Sequence, residues 1–309
     1  MANLGKYQTG LTEIQLKNSR KTKIEEWVEK LKSTINEIPE TKAIPISDTS
    51  KLDAAGVKCP FSQPVGKEDK NKFMFKHPES IHIIGSWSLE LVTRVDPSLD
   101  LLVVMPPASL KKEDYKDYLY HRKRALYLSY IAAHLKSNPL VSSLQFSSVD
   151  NDRPVLLLEP SGKLNGRIRI RLMVVPPADY FPAERLQTDQ NCVDGKASAF
   201  YKAGVLADQL ALQIHEDTQS QLSTMKNVKD ACMLLRVWAR QRQMDVSGGW
   251  FILTQFVRHL IEQKKIRAGT SPYQVLRSVW LHLARSDWTN QGIRLGKPTD
   301  SSVADSHAR

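Results

Sequence analysis

Two rhythms of apolar spacing divide the 309-residue chain. The first is helical: Leu11, Ile14, Leu16, Ile24, Trp27, Val28, Leu31 and Ile35 recur among Lys and Glu residues, which predicts one helix over Leu11–Ile38 covering the side of a first domain. Between Pro39 and Gly66 the pattern dissolves into Pro, Ser, Thr, Asp and Gly, as in a surface connection. Strand-like runs follow. Ile81–Ile84 leads into a Gly85-Ser86 turn and a short helix at about Trp87–Thr93, and Leu99–Met105 forms a second strand that Pro106-Pro107 stops. A helix is predicted over Leu110–Lys136, ended by Asn138-Pro139. Strands return at Val141–Val149, Pro154–Glu159 and Gly166–Val175. In the last of these, alternation sets Arg167, Arg169 and Arg171 on one face and Ile168, Ile170 and Leu172 on the other.

After Pro176-Pro177 the spacing becomes helical again and stays so. Phe200–Glu216 turns Tyr201, Val205, Leu206, Leu210 and Ile214 inward; its His215 and Glu216 lack the second His of a zinc helix and read as helix-end polar residues. In Asn227–Arg242, Val228, Ala231, Leu234, Leu235 and Trp238 form an apolar stripe opposite Lys229, Arg236 and Arg240. Gly248-Gly249 is a turn before the helix Trp250–Gln263, and Pro272 starts a further helix, Tyr273–Ala284. The expected division is 1–65 for the leading helix and linker, 66–190 for a sheet domain, 191–290 for a helical domain and 291–309 for a Gly-, Ser- and Asp-containing disordered tail.

Composition narrows the classes. A hydrophobic content of 41% supplies two ordinary cores, and no apolar run approaches a membrane span or a signal-peptide core. Three widely spaced cysteines do not make a disulfide framework or a zinc site, so an intracellular protein is expected. The net charge of +11 favours polyanionic partners. Three basic groups are candidate contacts with nucleic acid or an acidic partner: Arg122, Lys123 and Arg124; Arg167, Arg169 and Arg171; and Lys229, Arg236 and Arg240. The first two also have a plain reading, as a solvated face and a solvent-facing edge respectively.

The candidate chemistry lies in IHIIGSWSLELVTRVDPSLDLLVVM. Gly beside Ser after a strand suits a tight turn whose N–H groups cradle phosphate, and period two puts Ser98, Asp100 and Leu102 on one face of the next strand. Two-metal phosphoryl transfer needs carboxylates holding divalent ions about 3.5–4 Å apart. Asp100 could supply one, but Ser98 stands where its partner is needed; Asp96, before Pro97, belongs to the preceding turn. No acid occurs between Arg167 and Val175. If the arginine face lines the cleft, it repels a metal ion and either binds phosphate or neutralises Asp100.

This layout resembles the nucleotidyltransferase fold of polymerase-beta-like enzymes, poly(A) polymerases and oligoadenylate synthetases, with half its Asp-x-Asp motif missing. The ordered set GSW, VDPSLDLLVVMP, DYLYHRKRALYLSYIAAHL and VKDACMLLRVWARQR with its Gly-Gly turn is similar, over about Phe73–Ala284, to the amino-terminal part of the Nrap family, the nucleolar RNA-associated proteins of the small-subunit processome. The resemblance implies an α/β (α+β) nucleotidyltransferase-like sheet domain followed by an all-helical poly(A)-polymerase/oligoadenylate-synthetase-like domain, in an amino-terminal fragment of a longer chain. It implies a nucleolar, non-catalytic component of ribosome assembly and rRNA processing. Gly85, Ser86, Ser98 and Asp100 would be degenerate active-site positions, with no catalytic residue, metal or cofactor. The implied partners are other processome proteins, pre-rRNA or a small nucleolar ribonucleoprotein, and the downstream domains of the same chain, with no membrane. The alternatives are an active RNA nucleotidyltransferase that uses Asp100 with an unrecognised second carboxylate, and a protein-only assembly scaffold.

Overall fold

The computed structural model describes residues 13–61, 70–95, 97–148, 153–187, 191–193, 198–244, 249–287 and 295. The expectations for Leu11, Asp96, Gly248, the turn at Asp150–Asp152 and the tail lie outside the described residues or fall mostly there. The chain divides into two compact units. A sheet unit comprises Leu16–Ile84 and Asp96–Gln213, and a helical unit comprises Met1–Gln15, Gly85–Val95 and Ile214–Arg309.

The sheet unit is built on five strands: β3 (Ser80–Ile84), β4 (Ser98–Val104), β5 (Val141–Ser148), β6 (Pro154–Pro160) and β7 (Arg169–Val175), after a two-residue ladder of β1 (Ile44–Pro45) with β2 (Lys72–Phe73). Their order is β3-β4-β7-β6-β5, and every neighbouring pair is antiparallel except β4 with β7. A strand buried on both faces needs an unbroken apolar run, and Leu99, Leu101, Leu102, Val103 and Val104 supply it beside the buried Asp100. Helix α4 (Leu119–Lys136) packs on β5, β6 and β7 and is buried nearly all round, from Tyr120 through Leu128 and Ile131 to Leu135. Helix α1 (Asn18–Asn36) buries Ile24, Trp27, Val28, Leu31 and Ile35, and its Trp27 indole donates to the Leu140 carbonyl at 3.1 Å.

Several boundaries differ from the sequence reading, each for a local reason. The leading helix begins at Asn18 because Gln15 bridges to Thr93 and the Ile14 carbonyl accepts the Arg94 N–H. The connection after it carries β1 and the short helix α2 (Ser50–Ala54), and it buries Ile46, Leu52 and Val57. Helix α4 begins nine residues later than Leu110, after Asp117 and Tyr118 take φ of 50° and 60°, a left-handed bend that a continuous helix forbids. Strand β7 begins at Arg169, so Arg167 precedes it.

The helical unit holds α6 (Lys226–Gln241), α7 (Gly249–Glu262) and α8 (Pro272–Arg285), with the one-turn α3 (Gly85–Ser88). Long helix α5 (Ala199–Leu222) gives its first part, to Gln213, to the sheet unit and the rest to the helical one. The predicted stripe of α6 is core: Val228, Ala231 and Leu235 pack with Leu253, Val257, Val275 and Val279, and Leu89 and Leu91 join the same cluster. Ser271 caps α8 reciprocally with Gln274, two orphan donors satisfied at once. Thus the stretch Gly85–Val95, which lies between two sheet strands in sequence, packs with helices that come much later. Among the described residues no helix is long and apolar enough to cross a membrane.

Candidate functional site

The parallel pairing of β4 with β7 sets Asp100 opposite Arg171, and Ser98 opposite Arg169. The two charged side chains meet in a two-point contact: Arg171 donates from Nε to Asp100 Oδ1 at 2.6 Å and from Nη2 to Oδ2 at 2.8 Å. The carboxylate side chain is 5% exposed and the guanidinium 37%. Burial disfavours the charge of Arg171, but the hydrogen bonds and charge of Asp100 outweigh it and raise the Arg171 pKa above its ordinary value. Both carboxylate oxygens therefore carry a charge-assisted bond, and a metal ion arriving there would have to displace a guanidinium. Ser98 is half-buried and brings no charge. Among the described residues no three His, Cys, Asp or Glu side chains are grouped to hold a metal. Of the three fates left open for the arginine face, neutralisation of Asp100 is the one Arg171 adopts, while Arg167 and Arg169 are exposed.

The Gly85-Ser86 turn has its own arrangement. Gly85 sits at φ 69°, in the left-handed region that glycine enters without a Cβ clash, and Ser86 is buried. The Gly85 N–H, expected to face phosphate, donates instead to Nδ1 of His215 at 3.3 Å. That contact puts the ring proton on Nε2, which lies 3.2 Å from Ser88 Oγ. His215 is thus a buried mid-helix residue that braces the turn, which corrects its reading as a helix-end polar group. Nothing in its own sequence surroundings marks it, because its partners lie about 130 residues away.

Most of the basic candidates have partners within their own unit. Lys123 pairs with Asp114 at 2.6 Å with both side chains buried. Arg124, 2% exposed, donates to the carbonyls of Val174 and Pro154 and lies 3.0 Å from Asp208, which also accepts from Tyr120 and Arg153. Arg122 stacks over the Phe61 ring at 5.1 Å. In the helical unit, the polar face of α6 grips the stretch after the Gly-Ser turn: Lys229 pairs with Glu90 at 2.6 Å, Arg236 donates to the Leu91 carbonyl at 3.2 Å, and Arg240 donates to the Val95 carbonyl at 3.0 Å. Arg236 also lies over the Trp250 ring at 5.0 Å. Sequence periodicity found this face correctly but could not name the carbonyls it serves.

Residues 41–223 match the family model described as Nrap protein domain 1, and residues 227–309 match the Nrap protein PAP/OAS-like domain. The chain is 34% identical to nucleolar protein 6 of Xenopus laevis and 35% identical to that of Mus musculus, in each case over 95% of its own length and 27% of the relative's. It therefore spans about a quarter of these curated relatives. A solved non-canonical poly(A) polymerase complex, GLD-2 with GLD-3, aligns over 91% of this chain and 75% of that one at 9% identity and a TM-score of 0.49, a level from which nothing is carried over. The first domain model alone spans more than half of the residues, the second follows it in order, and the chain belongs to the Nrap family.

Proposed function

We propose that this chain is a non-catalytic nucleotidyltransferase-like module of a nucleolar pre-ribosomal assembly, contacting protein and pre-rRNA during small-subunit rRNA processing instead of adding nucleotides. The observation that carries the reading is the Arg171 guanidinium on both oxygens of Asp100, at the register position where a further carboxylate would serve a metal pair. The commitment of the Gly85 amide to His215 supports it from the other half of the motif. Family membership and the name nucleolar protein 6 carried by relatives support the nucleolar setting and ribosome biogenesis. In this reading the partners include downstream domains of a longer chain, because the curated relatives are covered over only 27% of their length.

One observation favours a larger share of protein contact than charge alone suggests. Lys123 and Arg124 spend their charge in the interior and Arg171 meets the buried Asp100, so RNA contact falls to cations on the surface such as Arg167. Incubating the chain with an RNA primer, nucleoside triphosphates and Mg²⁺ or Mn²⁺ tests the main reading: no extension is expected. Extension that Asp100→Ala abolishes would overturn it, and recovery of the same partners before and after nuclease treatment would favour a protein-only scaffold.

A further inference from the structure

Strand β5 is the last strand of the sheet; it pairs with β6 and, among the described residues, with nothing on its other side. Such an edge presents alternate N–H and C=O groups outward, and proteins normally guard it with a charge, a proline or a covering element. β5 reads VSSLQFSS, eight residues with no charge and no proline, and its one irregularity lies at the start, between Val141 and Ser143. The edge is long and poorly guarded.

A groove of about 480 Å³ runs along it, lined by Gly56, Val57, Lys58, Lys136 and the run Val141–Phe146. The consecutive run locates the groove. Side chains alternate between sheet faces, so a groove over one face would touch every second residue, whereas a groove along the edge touches them all. No β6 residue lines it, as expected for the side of β5 away from β6. Its walls bring two exposed lysines, Lys58 and Lys136, and no acid; Lys136 also ties Gly56 in place through a 2.6 Å bond to its carbonyl. Leu144 and Phe146, half-buried and two apart, share one face and offer apolar neighbours to alternate side chains of an incoming strand.

We propose that β5 is a docking edge for an extended, acidic segment of a partner protein, which adds a sixth strand to the sheet. Main-chain pairing supplies the affinity of such a complex, and the flanking lysines select the charge of the segment. A six-residue contact would run about 20 Å along the edge. Single-stranded RNA fits the groove less well, because it binds on stacked aromatics and a basic track, and Phe146 is the one aromatic in the lining. The inference is independent of whether the Asp100 site is catalytic.

The test uses two fluorescent eight-residue peptides that share an alternating Val-Thr centre, one ending in Glu at both sides and one in Lys. Titrated onto the 309-residue chain, the Glu-ended peptide is expected to bind about tenfold more tightly at low salt and to slow amide exchange within Val141–Phe146. Lys58→Glu together with Lys136→Glu should reverse the preference. Lys58→Glu alone, which keeps the Lys136–Gly56 bond, should at least equalise it. Equal or absent binding of the two peptides to the unaltered chain, or protection confined to other strands, would overturn the proposal. So would a dimer of the chain that the peptide dissolves, which would make a second copy the occupant, or displacement of the peptide by a single-stranded RNA oligomer.

Discussion

Removing either partner of the Asp100–Arg171 pair should give unequal costs, and the inequality follows from their exposures. Arg171→Met keeps the length of the side chain but leaves a carboxylate that is 5% exposed without its counter-ion. Breaking a fully buried pair costs about 3–5 kcal/mol; because Arg171 is 37% exposed and the pair is partly screened, about 2–3 kcal/mol is expected. Asp100→Asn keeps the shape and one acceptor, and the guanidinium already reaches water, so its cost is about 1 kcal/mol. The double variant should recover part of the sum, with a coupling of about 1–2 kcal/mol. Native-state amide exchange at Leu101–Val103 and Leu172–Val174, in the β4–β7 ladder, reads these values locally. An Asp100→Asn cost equal to or above that of Arg171→Met, or strict additivity in the double variant, would refute the reasoning.

Three further outcomes are expected. Ser98→Asp with Arg171→Asp should lower stability without metal and regain it on adding Mn²⁺, with binding seen by calorimetry; no Mn²⁺-dependent recovery would mean that missing carboxylates are not what the site lacks. Replacing Lys229, Arg236 and Arg240 together by Gln should speed amide exchange in Glu90–Val95 by more than about tenfold through loss of roughly 2–3 kcal/mol of hydrogen bonding; weaker RNA association with unchanged exchange would restore these residues to an exterior role. Asp208→Ala strands Arg124 and the Tyr120 hydroxyl, and should cost about 3–5 kcal/mol and lower the Tm by on the order of 10 °C, read by calorimetry.

What the sequence made legible depended on whether the deciding contacts were local. The unbroken run Leu101–Val104 with its proline stop could only be a central strand, and the stripe Val228, Ala231 and Leu235 could only be core. Alternation likewise found the face that Arg171 shares with Arg169, yet three fates stayed open because the choice lies in the parallel register with β4, set by a connection of more than sixty residues. Charge misled where acceptors come from far along the chain. Arg124 reads as solvated until the Val174 and Pro154 carbonyls and Asp208 are brought to it. The bend at Asp117 and Tyr118 left no trace in periodicity, because the residues before it keep an apolar spacing without being helical.

The interleaving of the two units has a consequence for synthesis. Leu89 and Leu91 leave the ribosome roughly 130 residues ahead of the first turn of α6, which at about 5–20 residues per second is a delay on the order of ten seconds. During that interval the strands on either side can begin to pair before the helices that cover Leu89 and Leu91 have been made, so the Gly85–Val95 stretch is the last part of the first hundred residues to find its core.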